Sequence, residues 1–250
     1  MENIKLLLVD DDVTLLSELS DQMTRMGFTI LATATNGLDG YIVAKIHKPD
    51  LVIMDLIMPG SEMNGIEAAE KIMNELDIPV IFLSGYSDSN IIEKIKDTLP
   101  YGFLTKPFQD FEISIQIQIA LYKKRLEKKV SECIEKISFL TDHTSDALIT
   151  TNKEGSITNW NNSAERFFSY RRNEAIGMPV NNIFGCEFTE NYISKIYKSI
   201  VLNDNATDKT VINIIANNKA GRKFPVEIDL MAKKLSHETE FLYLVRFDRI

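Results

Sequence analysis

Cysteine is scarce in this 250-residue chain, with only Cys133 and Cys186, and their placement matches neither a metal-ligand spacing nor a disulfide framework. A reduced cytoplasm is the simplest compartment for such a composition. Long hydrophobic runs are also missing. The opening Met1-Glu-Asn-Ile-Lys5 leads into a short apolar run that meets three aspartates, which suits neither a signal peptide nor a membrane span. Histidine occurs only at His47, His143 and His237, and no kinase nucleotide-binding region follows His143, which reads as a surface residue. No basic surplus is present either. Residues 1–110 hold 8 Lys+Arg against 18 Asp+Glu, residues 111–140 hold 6 against 4, and residues 141–250 hold 14 against 14. That distribution argues against the phosphate-neutralising surface that supplies most nucleic-acid affinity. The one basic cluster, Lys123-Lys-Arg125 with Lys128-Lys129, reads as a solvated helix face.

The 44% of hydrophobic residues suffices for packed cores in one or two domains. The most informative run is Leu51-Val-Ile-Met-Asp-Leu-Ile-Met-Pro-Gly60, where an apolar strand delivers Asp55 and a Pro-Gly pair then breaks the chain. An acid at the carboxyl end of a strand in an alternating β/α chain lies in the crevice where such sheets bind ligands. Three other strand ends carry chemistry. Ile4 to Val9 runs into Asp10, Asp11 and Asp12; Pro79 to Leu83 ends in Ser84-Gly85; Gly102 to Thr105 ends in Lys106-Pro107. Adjacent like charges repel, so the triple aspartate needs a cation or a partner lysine.

Taken singly, each residue has an ordinary reading: a helix N-terminal acid cluster, a turn serine, a solvated lysine. Asp12 keeps that reading as a helix N-terminal acid. The joint occurrence, with separations of 44, 29 and 22 residues counted from Asp11, is what carries the argument. With Asp55-x-x-Met-Pro59, the roughly first half of the chain resembles the receiver domain of two-component response regulators.

The resemblance implies that Asp55 is the phosphoacceptor. Asp11 and Asp55 would hold Mg²⁺ directly, Asp10 through water, and the main-chain carbonyl of Ile57 would add an oxygen, as suits a hard ion that keeps several waters. Ser84 and Lys106 would contact the phosphoryl oxygens, with Ser84 and the aromatic Phe103 as switch residues. A cognate sensor histidine kinase is the implied partner. Departures from the family pattern exist. The loop 59–65 reads as two residues longer than usual, Asn64 replaces a common Asp, Ser84 replaces the commoner Thr, and Gly85 follows where Ala is frequent. Bulky Ile57 and Tyr86, two past the acid and two past the hydroxyl, are expected to shield an acyl phosphate from water.

The chain in order predicts helices over 13–26, 38–47, 65–76 and 90–98, with strands at 28–34 and at the four tips above. Five strands and five helices imply a flavodoxin-like (βα)5 parallel sheet of order 2-1-3-4-5. A fifth helix from Phe108 to about Leu140 carries apolar residues Ile115, Ile119, Tyr122, Leu126, Val130, Cys133, Ile137 and Leu140. Their steps form a heptad seam with one stutter. We expect this coiled-coil-like stripe to meet its own copy in a parallel homodimer; folding back on the neighbouring domain is the alternative.

From Asp142 the composition shifts to a hairpin, Ala147 to Thr151 and Ser156 to Trp160, then a short helix opened by Asn161. This part looks like a PAS domain, an α+β fold with an antiparallel sheet. It continues through Gly177-Met-Pro179, a helix 191–201, and strands 210–216, 223–231 and 241–246. The predicted division is a receiver over 1–122, a linker helix over 123–140 and a PAS domain over 141–250. Residues 191–201 offer no histidine for haem, and Phe184-Gly-Cys-Glu-Phe188 does not reproduce the photoreactive flavin motif, so the expected PAS ligand is neither.

The expected function is a cytoplasmic switch phosphorylated on Asp55. Its output would pass through dimerisation or contacts of the helix and PAS domain with a downstream protein, with no nucleic acid, no membrane and no enzymatic turnover of its own. The alternative is a PAS-based small-ligand sensor that modulates receiver phosphorylation. The architecture, with Pro100 to Phe108, also looks like stand-alone archaeal regulators.

Overall fold

The computed structural model describes residues 4–59, 62–85, 98–185, 209–234 and 239–247. The helix expected over 90–98, apart from Thr98, the helix expected over 191–201, Tyr86, Cys186 and His237 lie outside these residues. The chain divides into two compact units, residues 1–131 and 132–250.

The first unit is a parallel sheet in which β1 (Lys5–Val9), β2 (Thr29–Ala34), β3 (Leu51–Asp55), β4 (Val80–Ser84) and β5 (Gly102–Thr105) lie in the order β2-β1-β3-β4-β5. Strands buried on both faces need continuous apolar runs, which β1, β3 and β4 have. Alternate residues feed two cores. Leu7, Val9, Val52, Met54, Val80 and Phe82 point to one face, where Ala44 of α2 (Gly37–His47) and Ala68, Ala69 and Ile72 of α3 (Gly65–Leu76) cover them. Leu6, Leu8, Leu51, Ile53, Ile81 and Leu83 point to the other, packed with Leu16, Leu19 and Met23 of α1 (Val13–Arg25) and Ile113, Ile117 and Ala120 of the long helix α4 (Asp110–Asp142). The sheet order and the two covered faces are those expected from the sequence.

Caps set the helix starts. Asp12 accepts from the amides of Thr14 and Leu15, so it is the N-cap of α1. Asn64, the departure noted above, forms a capping box with Glu67 at the start of α3. Helix α4 begins at Asp110 rather than Phe108, because Pro107 precedes it and the Gln109 amide is taken by the Glu112 carboxylate at 2.9 Å.

Beyond Leu121, which still packs partly buried against the core that α4 shares with α1, the apolar positions of α4 face solvent. Tyr122, Leu126, Val130, Ile137 and Leu140 are 61%, 44%, 58%, 55% and 65% exposed.

The second unit is an antiparallel sheet of β6 (Ala147–Thr151), β7 (Ile157–Trp160), β8 (Lys209–Asn217), β9 (Lys223–Lys234) and β10 (Thr239–Phe247), ordered β7-β6-β10-β9-β8. Its core holds Trp160, Phe168, Phe241 and Tyr243, all fully buried. The indole of Trp160 donates to the Tyr170 carbonyl at 3.1 Å, which meets the need of a buried N–H. Three short helices complete it: α5 (Asn162–Phe168), α6 (Arg172–Ala175) and α7 (Asn181–Phe184). The last two have only four residues each, too short to leave a periodic signal.

Asn161 organises this unit. Its amide nitrogen donates to the carbonyls of Thr141 and Asp146 and to the Thr144 hydroxyl, while its oxygen accepts from the amides of Leu148 and Ala164. One buried side chain thus ends α4, starts α5 and fixes the edge of β6. The Thr141 carbonyl is one of the orphans at a helix C-terminus, and Asn161 and the Thr144 hydroxyl both satisfy it.

Candidate functional site

Parallel strands end on one edge of the sheet, so the residues that follow β1, β3, β4 and β5 meet there. Asp10 follows β1, and its amide donates to the Ala34 carbonyl at 3.1 Å, which holds the turn under the site. Asp55 closes β3. Lys106 follows β5, and its amide donates to the Ser84 carbonyl at 2.7 Å.

The Lys106 ammonium lies 2.7 Å from Asp10 Oδ2 and 2.9 Å from Asp55 Oδ2. Asp11 joins them, with one oxygen from each of Asp10, Asp11 and Asp55 lying within 4.8 Å of one another. Three carboxylates against one ammonium leave the cluster short of positive charge. At an effective dielectric of ~20 two unit charges ~5 Å apart repel by about 3 kcal/mol, so a further cation is favoured there. All the donors are hard oxygens, a set that fits Mg²⁺ or a similar divalent ion rather than a soft one.

Asp10 is the most deeply placed acid, with its side chain 2% exposed. Asp55 is more accessible. Burial raises its carboxyl above the usual carboxylate range; Lys106 opposes that shift and the charge of Asp10 adds to it. For Lys106, burial pulls the ammonium down, but the hydrogen bonds to Asp10 and Asp55 outweigh it and the net shift is upward. The amide of Ile57 donates to Asp55 Oδ1 at 3.3 Å, so one oxygen is pinned by the backbone and the other by Lys106.

Ser84 is buried at the tip of β4, and its hydroxyl donates to the Gly85 carbonyl at 3.0 Å. Phe103 lies half-buried in β5, packed against the core cluster that includes Val80 and Phe82. Ile57 is 45% exposed beside the acid. The structure therefore brings Asp10, Asp11, Asp55 and Lys106 together, with Ser84 on the neighbouring strand tip and Phe103 below it.

Two glycines fix the loop that follows Asp55, and neither role is readable from local sequence. A Cβ on Gly65 would lie 2.2 Å from the Asp55 carbonyl oxygen, and one on Gly37 would lie 2.4 Å from that of Met63. Asn36-Gly37 reads locally only as a turn, because the contact that demands glycine comes from residues 26 positions away along the chain. A cleft of about 470 Å³ opens beside Asp11 between the turn carrying Thr35, Asn36 and Asp39 and the segment carrying Met58, Pro59 and Glu62.

Comparisons with known proteins agree with this geometry. Residues 6–118 match the response regulator receiver domain family, and residues 145–247 match the PAS domain family. The transcriptional regulatory protein PdtaR of Mycobacterium tuberculosis is 29% identical over 137 residues, covering 53% of this chain and 66% of that protein. A protein-glutamate methylesterase/protein-glutamine glutaminase of Natronomonas pharaonis is 37% identical over 117 residues, covering 46% of this chain and 32% of that protein. The chain thus spans just under two thirds of the first relative and about a third of the second. Among solved structures, the signal receiver domain of a modulated diguanylate cyclase from Desulfovibrio desulfuricans is 27% identical, with a TM-score of 0.47, covering 49% of this chain and 97% of that one.

Proposed function

From a chain that joins a response regulator receiver domain over residues 6–118 to a PAS domain over residues 145–247, we propose a two-component signalling protein that accepts a phosphoryl group on Asp55. The observation that carries this reading is Lys106 held at 2.7 Å from Asp10 and 2.9 Å from Asp55, with Asp11 alongside.

Phosphoryl transfer demands positioning and charge neutralisation more than covalent chemistry, because negative charge spreads over the equatorial oxygens. The free oxygen lone pairs of Asp55 attack the phosphorus of a phosphohistidine. The P–N bond breaks, the imidazole of the kinase leaves and takes up a proton, and an acyl phosphate forms. Lys106 already lies against Asp55 Oδ2 and exchanges that contact for a phosphoryl oxygen. Ser84, whose hydroxyl donates to the Gly85 carbonyl, is the hydroxyl that would turn to contact the same group. Asp10, Asp11, Asp55 and the Ile57 carbonyl are the oxygens that would hold Mg²⁺, which supplies positive charge for the remaining phosphoryl oxygens.

The chain is a phosphoacceptor rather than an enzyme acting on an external substrate. The phosphoryl group draws Ser84 inward and Phe103 repacks, biasing the face of β4 and α4. Output then passes through protein contacts or dimerisation of α4 and the PAS domain, without direct DNA binding. Among the described residues no helix is long and apolar enough to cross a membrane.

The test is beryllofluoride with Mg²⁺, a phosphoryl mimic. The expected result is a rise in the thermal midpoint that needs both components and is lost in Asp55→Asn. A rise that persists in Asp55→Asn contradicts the assignment.

A further inference from the structure

We propose that the pole of the second unit carrying Arg171, Arg172, Arg222 and Lys223 is a docking surface for an acidic segment of a partner protein. This rests on the reading above that output passes through protein contacts, and adds where the PAS domain meets its partner and the charge that partner carries.

Residues 141–250 balance 14 Lys+Arg against 14 Asp+Glu, but within them segments 165–174 and 218–223 together hold six against two. Hydrogen bonds bring these two segments together. The turn between β8 and β9 is stapled by Asn218, whose side-chain oxygen accepts from the amides of Ala220 and Arg222 at 3.1 and 2.9 Å. Gly221 takes the positive φ of 76° that the turn needs. The Lys219 amide donates to the Phe168 carbonyl at 2.9 Å, and its ammonium lies 2.8 Å from both carboxylate oxygens of Glu174 in α6. A stiff turn is thus strapped to α6.

The strap is neutral and its flanks are not. Arg171 and Arg172 precede Glu174 by three and two residues, while Arg222 and Lys223 follow Lys219 by three and four. All four are exposed, and none of them forms an ion pair among the described residues. The Arg172 guanidinium donates to a neutral acceptor, Asn159 Oδ1, at 3.0 Å, so it is positioned without its charge being cancelled. Lys219 and the Arg171 amide hold the Glu174 carboxyl below the usual carboxylate range, and the charge of Arg171 adds to that shift. With Glu174 engaged, only Glu165 in these segments opposes the four cations.

Like charges held on a fixed frame repel, and carboxylates laid across the strap relieve that repulsion. Three of the four cations are arginines, whose planar forks take a carboxylate two bonds at a time. Phosphate polyanions suit the same forks. A chain with a net charge of −8, however, repels a long nucleic acid or an anionic bilayer, whereas a short acidic segment meets only the pole.

The full chain is titrated with a labelled oligoglutamate peptide, read by anisotropy at low ionic strength, beside duplex DNA and phosphatidylglycerol vesicles. The expected result is saturable peptide binding that weakens about tenfold or more in Arg171→Glu with Arg222→Glu, and stays within about twofold of wild type in Lys128→Glu with Lys129→Glu on α4. Trp160 fluorescence checks that the second unit stays folded. Arg222→Gln with Lys223→Gln, which leaves α6 untouched, is the second variant and should also weaken binding. No saturable peptide binding, or an equal loss in the α4 variant, overturns the proposal. Tighter binding of DNA or vesicles that is lost in Arg171→Glu with Arg222→Glu makes the partner a phosphate polyanion and overturns it too. The beryllofluoride shift, measured on the same samples, reports Asp55 separately, so a failed docking surface is distinguishable from a failed phosphoacceptor.

Discussion

Replacing Lys106 with Met keeps most of the side-chain volume and removes the charge, leaving Asp10 and Asp55 facing each other with side chains 2% and 14% exposed. The gross attraction lost is large. At an effective dielectric of ~20, unit charges 2.7–2.9 Å apart attract by about 6 kcal/mol per pair. Most of that is offset by the desolvation of the ammonium that no longer has to be met. Measured losses on removing one partner of a buried pair run to about 3–5 kcal/mol. Lys106 is 23% exposed and Asp55 can escape by taking up a proton, so we expect about 2–4 kcal/mol at neutral pH in chelator. For a unit of this size that lowers the midpoint by roughly 7–15 °C.

The pH dependence has a definite sign. Lys106 is raised in the folded state, so the stability it contributes is fully present below the unfolded lysine value of about 10.4 and is lost as pH rises through the folded value. Asp55 is also raised, so its ionisation opposes folding at neutral pH and that cost is relieved as pH falls. The difference between wild type and Lys106→Met should therefore shrink in acid, and saturating Mg²⁺ should shrink it at neutral pH. Scanning calorimetry reads this directly. The lone tryptophan, Trp160, lies in the second unit, so its fluorescence reports that unit's own unfolding. A loss below about 1 kcal/mol, or one that Mg²⁺ leaves unchanged, would refute the electrostatic account.

Asp11→Asn should abolish the rise in midpoint produced by Mg²⁺ without lowering stability in chelator, because it removes one of three clustered acids; calorimetry with and without the ion checks both. Magnesium affinity should weaken as pH falls through the raised Asp55 value, since proton and metal compete for one carboxylate; titration calorimetry across pH 5–8 measures it. Gly37→Ala puts a Cβ 2.4 Å from the Met63 carbonyl oxygen, so we expect a loss of about 1–3 kcal/mol together with weaker magnesium binding. Asn161→Ala leaves the amides of Leu148 and Ala164 without their side-chain partner. Trp160 fluorescence in urea should report a loss of about 2–4 kcal/mol in that unit.

Much of the fold was legible because its signals are local. Apolar runs that stop at Asp10, Asp55, Ser84 and Lys106 give both the strands and the edge where they end, and alternation with amphipathic helices gives the parallel order. Asp12 carried a cap signature and is a cap. What escaped depends on contacts between distant residues. Gly37 looks like any turn glycine until the Met63 carbonyl arrives over it. Asn161 looks like a single helix cap, but it also closes the end of α4 twenty residues earlier. The sequence likewise does not say which acid the lysine would hold most closely, a matter that side-chain reach decides in favour of Asp10.

The most direct test is chemical. The full chain is incubated with a small phosphodonor such as acetyl phosphate and Mg²⁺, reduced with borohydride to trap any acyl phosphate, and mapped by peptide mass. The account predicts a single trapped site at Asp55, lost in chelator and in Lys106→Met. Modification elsewhere with Asp55 untouched, or incorporation that ignores both the metal and Lys106, would contradict it.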